Sequence, residues 1–192
     1  WLYSDEGCEK QDYPIARSIR DVVSDNNKGL WIATDVGLYH STPQSTKHLV
    51  GEDELISAYI RGVAVNEEQV WAGGLGGVTI LRDEKRTDVL LPDDGIPSMN
   101  VNCVTRSPEG VMWVGTDVGV VRYNKDGTHS LLFSRRWLLD DKVNDIAFDK
   151  EGNAWVATSK GVSVIRKRKM TLAAKHQYFY DVLMRRHIRD PW

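Results

Sequence analysis

The chain has 192 residues, 41% of them hydrophobic and 27% charged, with a formal net charge of −2. That is the composition of a folded globular domain, and the length suits one compact unit with an appendage. The absence of any run of 18 apolar residues gives no membrane-spanning stretch. The near-neutral charge argues against a general nucleic-acid binder. Two cysteines, Cys8 and Cys103, are too few for a disulfide scaffold or a cysteine-rich zinc site.

The charge is unevenly spread. Residues 1–165 carry 17 cationic and 25 acidic side chains, a net of −8, whereas residues 166–192 carry 8 and 2, a net of +6. Such an asymmetry marks a boundary between units, and the plainest expectation is a basic tail docked on an acidic body. A contact with nucleic acid or lipid is the sharper alternative. The interleaving of the basic residues with apolar ones speaks against it.

In chain order, residues 1–18 form an N-terminal segment that opens with the apolar run Trp1-Leu2-Tyr3. Residues 19–166 then hold four copies of one pattern. Trp31, Trp71, Trp113 and Trp155 are 40, 42 and 42 residues apart. Two positions after each comes a small residue: Ala33, Gly73, Gly115 or Ala157. Six positions after each comes Gly37, Gly77, Gly119 or Gly161, followed by Leu38, Val78, Val120 or Val162. Val22, Val63, Val104 and Ile146 precede the tryptophans by eight or nine residues. Short runs of β-branched and aromatic residues between turn dipeptides predict strands. In the fourth copy these are Asp145–Phe148, Ala154–Thr158 and Val162–Ile165. Fourth strands are expected at His48–Val50, Val89–Leu91 and Leu131–Phe133, and the last copy has none of its own.

A period near 42 with four strands per unit predicts an all-β propeller of four-stranded antiparallel blades. One blade cannot bury both faces alone, so the Trp column of each must pack on the next. A small residue two positions beyond the indole leaves room for that. Trp1–Tyr3 stands where a strand completing the last blade would begin, and equally where an upstream blade would end. Residues 167–192 are expected to form a basic linker and a C-terminal α-helix over Leu172–His187. Thr171 is its N-cap, and Leu172, Phe179 and Leu183, with Val182 beside them, form its apolar stripe. The opening at Trp1 rather than Met, and the end at Asp190-Pro191-Trp192, lead us to expect a piece of a longer protein.

The sequence shows no catalytic set. The histidines His40, His48, His129, His176 and His187 have no metal-ligand spacing, so no metal and no cofactor are expected. Gly73-Gly74-Leu75-Gly76-Gly77 falls on a strand–strand turn, not at the start of a helix, which argues against a phosphate cradle. Asp149-Lys150-Glu151-Gly152-Asn153 reads as a turn, since it lacks the spacing of a calcium loop. Asp35 and Asp117 read as turn residues, and Cys103 as buried. One column invites a function. Arg20, Arg61, Asn102 and Asn144 stand at the entrance of each innermost strand, with Asp21 and Asp145 beside two of them. In a propeller this edge surrounds the axial channel, where four convergent polar side chains could grip a carboxylated sugar or a peptide. The plainer alternative is that they satisfy backbone groups and water at the channel mouth.

Asn-Cys-Val-Thr-Arg-Ser-Pro-Glu-Gly-Val-Met-Trp-Val-Gly-Thr (102–116) and Lys-Val-Asn-Asp-Ile-Ala-Phe-Asp-Lys-Glu-Gly-Asn-Ala-Trp-Val-Ala-Thr (142–158) resemble two-component regulator propeller repeats. Asp-Gly-Ile-Pro-Ser-Met-Asn (94–100) is similar to the linker of that family. The second copy departs most, with Gly-Gly where the others have Gly/Ala-Thr. The resemblance implies a bacterial sensor ectodomain in the periplasm or outside the cell, responding to polysaccharide fragments, or a propeller beside a carbohydrate-active domain. It therefore implies a non-catalytic recognition or scaffolding module of an exported protein linked to glycan sensing or breakdown. The partners it implies are an oligosaccharide or a neighbouring domain. Two copies could also join into an eight-blade ring. The alternative is an accessory part of a polysaccharide-degrading enzyme, or a propeller enzyme of the streptogramin-lyase type. Similarity to streptogramin lyases would imply a divalent metal with catalytic His and Glu, and no inner-strand entrance here carries a histidine.

Overall fold

A computed structural model describes residues 18–25, 29–166, 171–174, 176–178 and 180–181, together with the backbone of Leu2–Ser4 and Gly7–Glu9. Strands β1 (Leu2–Ser4) and β2 (Gly7–Glu9) form an antiparallel hairpin. Four blades follow, each an antiparallel meander. Blade one is β3 (Ile19–Ser24), β4 (Leu30–Thr34), β5 (Gly37–Ser41) and β6 (Thr46–Leu49). Blade two is β7 (Ile60–Asn66), β8 (Gln69–Gly74), β9 (Gly77–Arg82) and β10 (Lys85–Leu90). Blade three is β11 (Val101–Arg106), β12 (Met112–Thr116), β13 (Gly119–Tyr123) and β14 (His129–Leu132). Blade four has three strands, β15 (Val143–Phe148), β16 (Ala154–Thr158) and β17 (Gly161–Ile165).

The turn between the second and third strands explains the repeated glycine. Gly37, Gly77, Gly119 and Gly161 all have φ between +118° and +131°, a region that side-chain-bearing residues avoid. A Cβ on Gly37 or Gly77 would also lie 2.5 Å from the carbonyl oxygen of Leu49 or Leu90 on the fourth strand. In three blades a Thr hydroxyl closes the same turn. Thr34, Thr116 and Thr158 donate to the carbonyls of Gly37, Gly119 and Gly161 at 2.7–2.9 Å.

The core lies between blades. Trp31, Ala33, Leu38 and Leu49 of blade one meet Ile60, Val63, Val70, Ala72 and Leu81 of blade two. Trp71, Val78 and Ile80 meet Val101, Val104, Met112, Val114 and Val121 of blade three. Cys103, Trp113 and Val120 meet Val143, Ile146, Ala154 and Val156 of blade four. The inner strands thus pack in the order β3, β7, β11, β15. Among the described residues, the two ends of this series stay open. Trp155 is 46% exposed where Trp31, Trp71 and Trp113 are 4–7% exposed, and Val162 is exposed where Leu38, Val78 and Val120 are buried. At the other end Ile19 and Val22 are exposed.

Three expectations need correction. The strand containing Leu2 and Tyr3 pairs with β2 and does not complete blade four, whose outer strand among the described residues is β17. Its partner is seven residues away along the chain, and a short hairpin closes at little entropic cost. The fourth strands begin earlier than their apolar runs. Lys85–Leu90 starts four residues before Val89 because a strand with one solvent face carries polar residues that an apolar count misses. The helix begins as expected, with the Ala174 amide donating to the Thr171 hydroxyl at 3.2 Å. Helical backbone is present within 172–181, but Leu172 is 72% exposed and so is not part of a buried stripe. Phe179, Val182 and Leu183 lie outside the residues whose side chains are described. Among the described residues, no helix is long and apolar enough to cross a membrane.

Candidate functional site

Each inner strand begins with a β-bulge. Pairing skips between Ile19 and Asp21, Ile60 and Gly62, Val101 and Cys103, and Val143 and Asp145. The residues skipped are Arg20, Arg61, Asn102 and Asn144, the column the sequence singles out. A bulge bends the strand and re-aims the extra side chain, so a repeated sequence column becomes a ring of side chains at one end of the axis. These four, with Asp21 and Asp145, line a single axial cleft of about 690 Å³. Its walls continue through Val22, Val63, Val104 and Ile146 to Arg106.

Most of the ring is engaged blade to blade. Arg20 donates from Nη2 to the Tyr59 hydroxyl at 2.8 Å. Arg61 donates from Nη1 to Asn100 Oδ1 at 2.6 Å and to Asn102 Oδ1 at 2.7 Å. Asn102 passes the connection on, donating from Nδ2 to the Val143 carbonyl at 2.7 Å. Asn144 ends the relay, exposed and without a hydrogen-bond partner among the described residues. One position on, Asp21 accepts the Val22 amide and the Val63 amide of the next blade, both at 2.9 Å. Gly62 occupies that position in blade two, where a Cβ would lie 2.6 Å from the Val104 nitrogen.

Sequence reasoning missed a second ring just outside the first. The carbonyls of Ser18, Tyr59, Asn100 and Lys142 accept the amides of Asp35, Leu75, Asp117 and Ser159. Tyr59 is the prominent member. The guanidinium carbons of Arg20 and Arg61 lie 5.4 and 5.2 Å from its ring centroid, so one ring serves two cations. The signal was the departure of the second copy. Gly74 replaces the Thr of the other copies because a Cβ there would overlap the Tyr59 carbonyl. Asp35 and Asp117 occupy turns as expected, and they also tie those turns to the mouth. Asp35 accepts the Ser18 amide at 3.2 Å, and Asp117 accepts the Asn100 side-chain amide at 3.1 Å.

The electrostatics are mixed. Burial pushes the Asp21 carboxyl above its ordinary range, against the pull of the Val63 and Val22 amides, and the charge of Asp145 adds to the rise. A hydrogen bond from Ser98, supported by Asn100, holds Asp117 below that range. Cys103 is buried, and burial pushes its thiol up to about 12, which leaves no thiolate nucleophile at neutral pH. The described histidines lie outside the inner strands: His40 on β5, His48 on β6, His129 on β14 and His176 in the C-terminal helix. The arrangement offers hydrogen-bond donors and carboxylates to a polar ligand.

Residues 95–118 and 138–160 match the family model described as two component regulator propeller. The chain thus carries repeats of that type, in its second half. Among solved structures, it is similar to the extracellular domain assigned to a hybrid two-component system of B. thetaiotaomicron. The identity is 26% and the TM-score 0.68, over 76% of this chain and 21% of that one. A second extracellular domain from the same organism matches at 19% identity and TM-score 0.64, over 80% of this chain and 22% of that one. The chain therefore spans about a fifth of the length of these relatives. A streptogramin B lyase matches at 12% identity and TM-score 0.64, over 84% of this chain and 56% of that one, a likeness of fold alone. No curated protein matches the sequence.

Proposed function

We propose that this chain is a non-catalytic recognition module of an exported bacterial protein concerned with glycan sensing or breakdown, and that its axial cleft takes an oligosaccharide fragment. The carrying observation is the division of labour at the mouth. Arg20, Arg61 and Asn102 are held by blade-to-blade hydrogen bonds, while Asn144 lines the same cleft exposed and without a hydrogen-bond partner among the described residues. A rigid polar wall with an uncommitted side-chain amide at Asn144 suits a hydroxyl-rich ligand. Similarity to a sensor's extracellular domain supports a place in the periplasm or outside the cell.

Thermal unfolding with neutral and uronate-bearing oligosaccharides tests this. A ligand at 100 times its Kd adds about 2.7 kcal/mol of stability, on the order of 5–10 °C for a chain of this size. The expected result is a selective rise that is lost in Arg20→Ala. No rise with any sugar would overturn recognition in the cleft.

The exposed end face of blade four favours a second reading. Trp155 and Val162 present to the outside the surface that every other blade buries against its successor, and a neighbouring domain of a larger protein would cover it. In that reading the chain is a scaffold, and its partner lies beyond blade four.

A further inference from the structure

The cross-strand partner of each blade tryptophan is His40, Ile80, Arg122 or Val164. In blade one this position holds a ring flanked by carboxylates. The His40 ring stacks on Trp31 at 4.0 Å and lies between two carboxylates, Asp25 at 3.0 Å and Glu84 at 2.6 Å. In blade three the same position carries Arg122, whose guanidinium carbon lies 6.0 Å from the Trp113 ring. Its Nε is buried without a hydrogen-bond partner, and it forms no ion pair among the described residues. The counter-charge is missing for a local reason. Asp25 closes the first hairpin of blade one by accepting the Gly29 amide with Oδ1, which leaves Oδ2 for His40. In blade three that residue is Ser107, which accepts the Val111 amide and has no second oxygen.

A buried guanidinium Nε–H with no acceptor is costly, and the half-buried Arg122 lines a cavity of about 300 Å³ between blades three and four. The apolar walls are Trp113 and Phe148, packed edge to face with centroids 5.4 Å apart, together with Ala154 and Ile165. A second guanidinium, Arg166, stands on the rim. Glu109 on the rim is exposed and forms no ion pair with Arg122. We propose that this cleft is a binding site for a small carboxylate with a flat apolar body. The carboxylate accepts from Arg122, with Arg166 beside it, and the body lies against the apolar wall that Trp113 and Phe148 form together. Guanidinium and carboxylate match in geometry as a planar fork, which a bare sugar hydroxyl does not reproduce. The site is separate from the axial cleft and does not depend on what that cleft binds.

Calorimetric titration of the whole chain with benzoate, and with benzamide as its neutral twin, tests the assignment. Arg122→Ile installs the residue that blade two carries at this position. Ser107→Asp installs the carboxylate that blade one uses. The expected result is saturable benzoate binding, at least tenfold tighter than benzamide, and at least tenfold weaker in either variant. Ser107→Asp should also raise the melting temperature, because it supplies the missing internal partner. Absence of benzoate binding, equal binding of benzamide, or benzoate affinity unchanged in a folded Arg122→Ile or Ser107→Asp chain would each overturn the proposal.

Discussion

A Cβ on Gly62 would sit 2.6 Å from the Val104 nitrogen and 2.9 Å from the Cys103 Cα. Both obstacles are backbone of the neighbouring blade, so neither can rotate away. The Gly115 position is tight against side chains instead, Cys103 Sγ at 2.5 Å and Val143 Cγ1 at 2.7 Å. Overpacking of this sort costs about 1–3 kcal/mol, and more where backbone must move. Gly62→Ala is therefore expected to lose at least 2 kcal/mol by this estimate, and more than Gly115→Ala, in urea unfolding. Gly51→Ala, whose Cβ would meet nothing nearer than a Glu54 side chain at 3.5 Å, is the control and should stay within about 0.5 kcal/mol. Equal losses at Gly62 and Gly51 would contradict the close approach of β7 and β11. The small-residue column Ala33, Gly73, Gly115 and Ala157 was legible in the sequence because it recurs beside each tryptophan. Gly62 was not legible, since the other copies carry Asp21, Cys103 and Asp145 there.

The blade is the repeating element, yet its four tryptophans are not equivalent. Trp113 is 5% exposed and packs against Phe148 of the next blade, whereas Trp155 is 46% exposed. Removing a buried indole typically costs about 3–5 kcal/mol, and an exposed one far less. Trp113→Ala should thus destabilise the chain by several kcal/mol, and Trp155→Ala by about 1 kcal/mol or less. If denaturant unfolding gave the two variants the same midpoint, the face of blade four would have to be covered in solution. Strand number, strand order and the position of each glycine turn could be read from the repeat. The start of each outer strand could not, because polar residues on a solvent face carry no periodic apolar signal. The bulge residues were legible as a column. Their engagement with Tyr59, Asn100 and Val143 was not, since each partner belongs to a different strand or loop.

At the scale of the molecule, the blades form a linear series in which each contacts its neighbours. Stability in such a series is close to a sum of unit and interface terms, so the end blades, which share one interface each, are weaker than the inner ones. Blade four has three strands, an exposed Trp155 and an exposed Val162. Amides of β16 and β17 are therefore expected to exchange with deuterium faster than those of β12 and β13. Equal protection in the two blades, read by mass spectrometry, would show that the open face is occupied. Sequence alone determined the β-propeller repeat, the blade count visible in this chain and the residues that ring the axis. Those properties follow from local periodicity and turn chemistry, which each copy states independently. Tertiary structure alone decided that Leu2–Ser4 pairs with Gly7–Glu9 and that Arg61 and Asn102 serve as blade-to-blade links. It also decided that Arg122 is left without the carboxylate its counterpart His40 has. These depend on which groups meet across blades some 40 residues apart, and no pattern within a single repeat encodes that meeting.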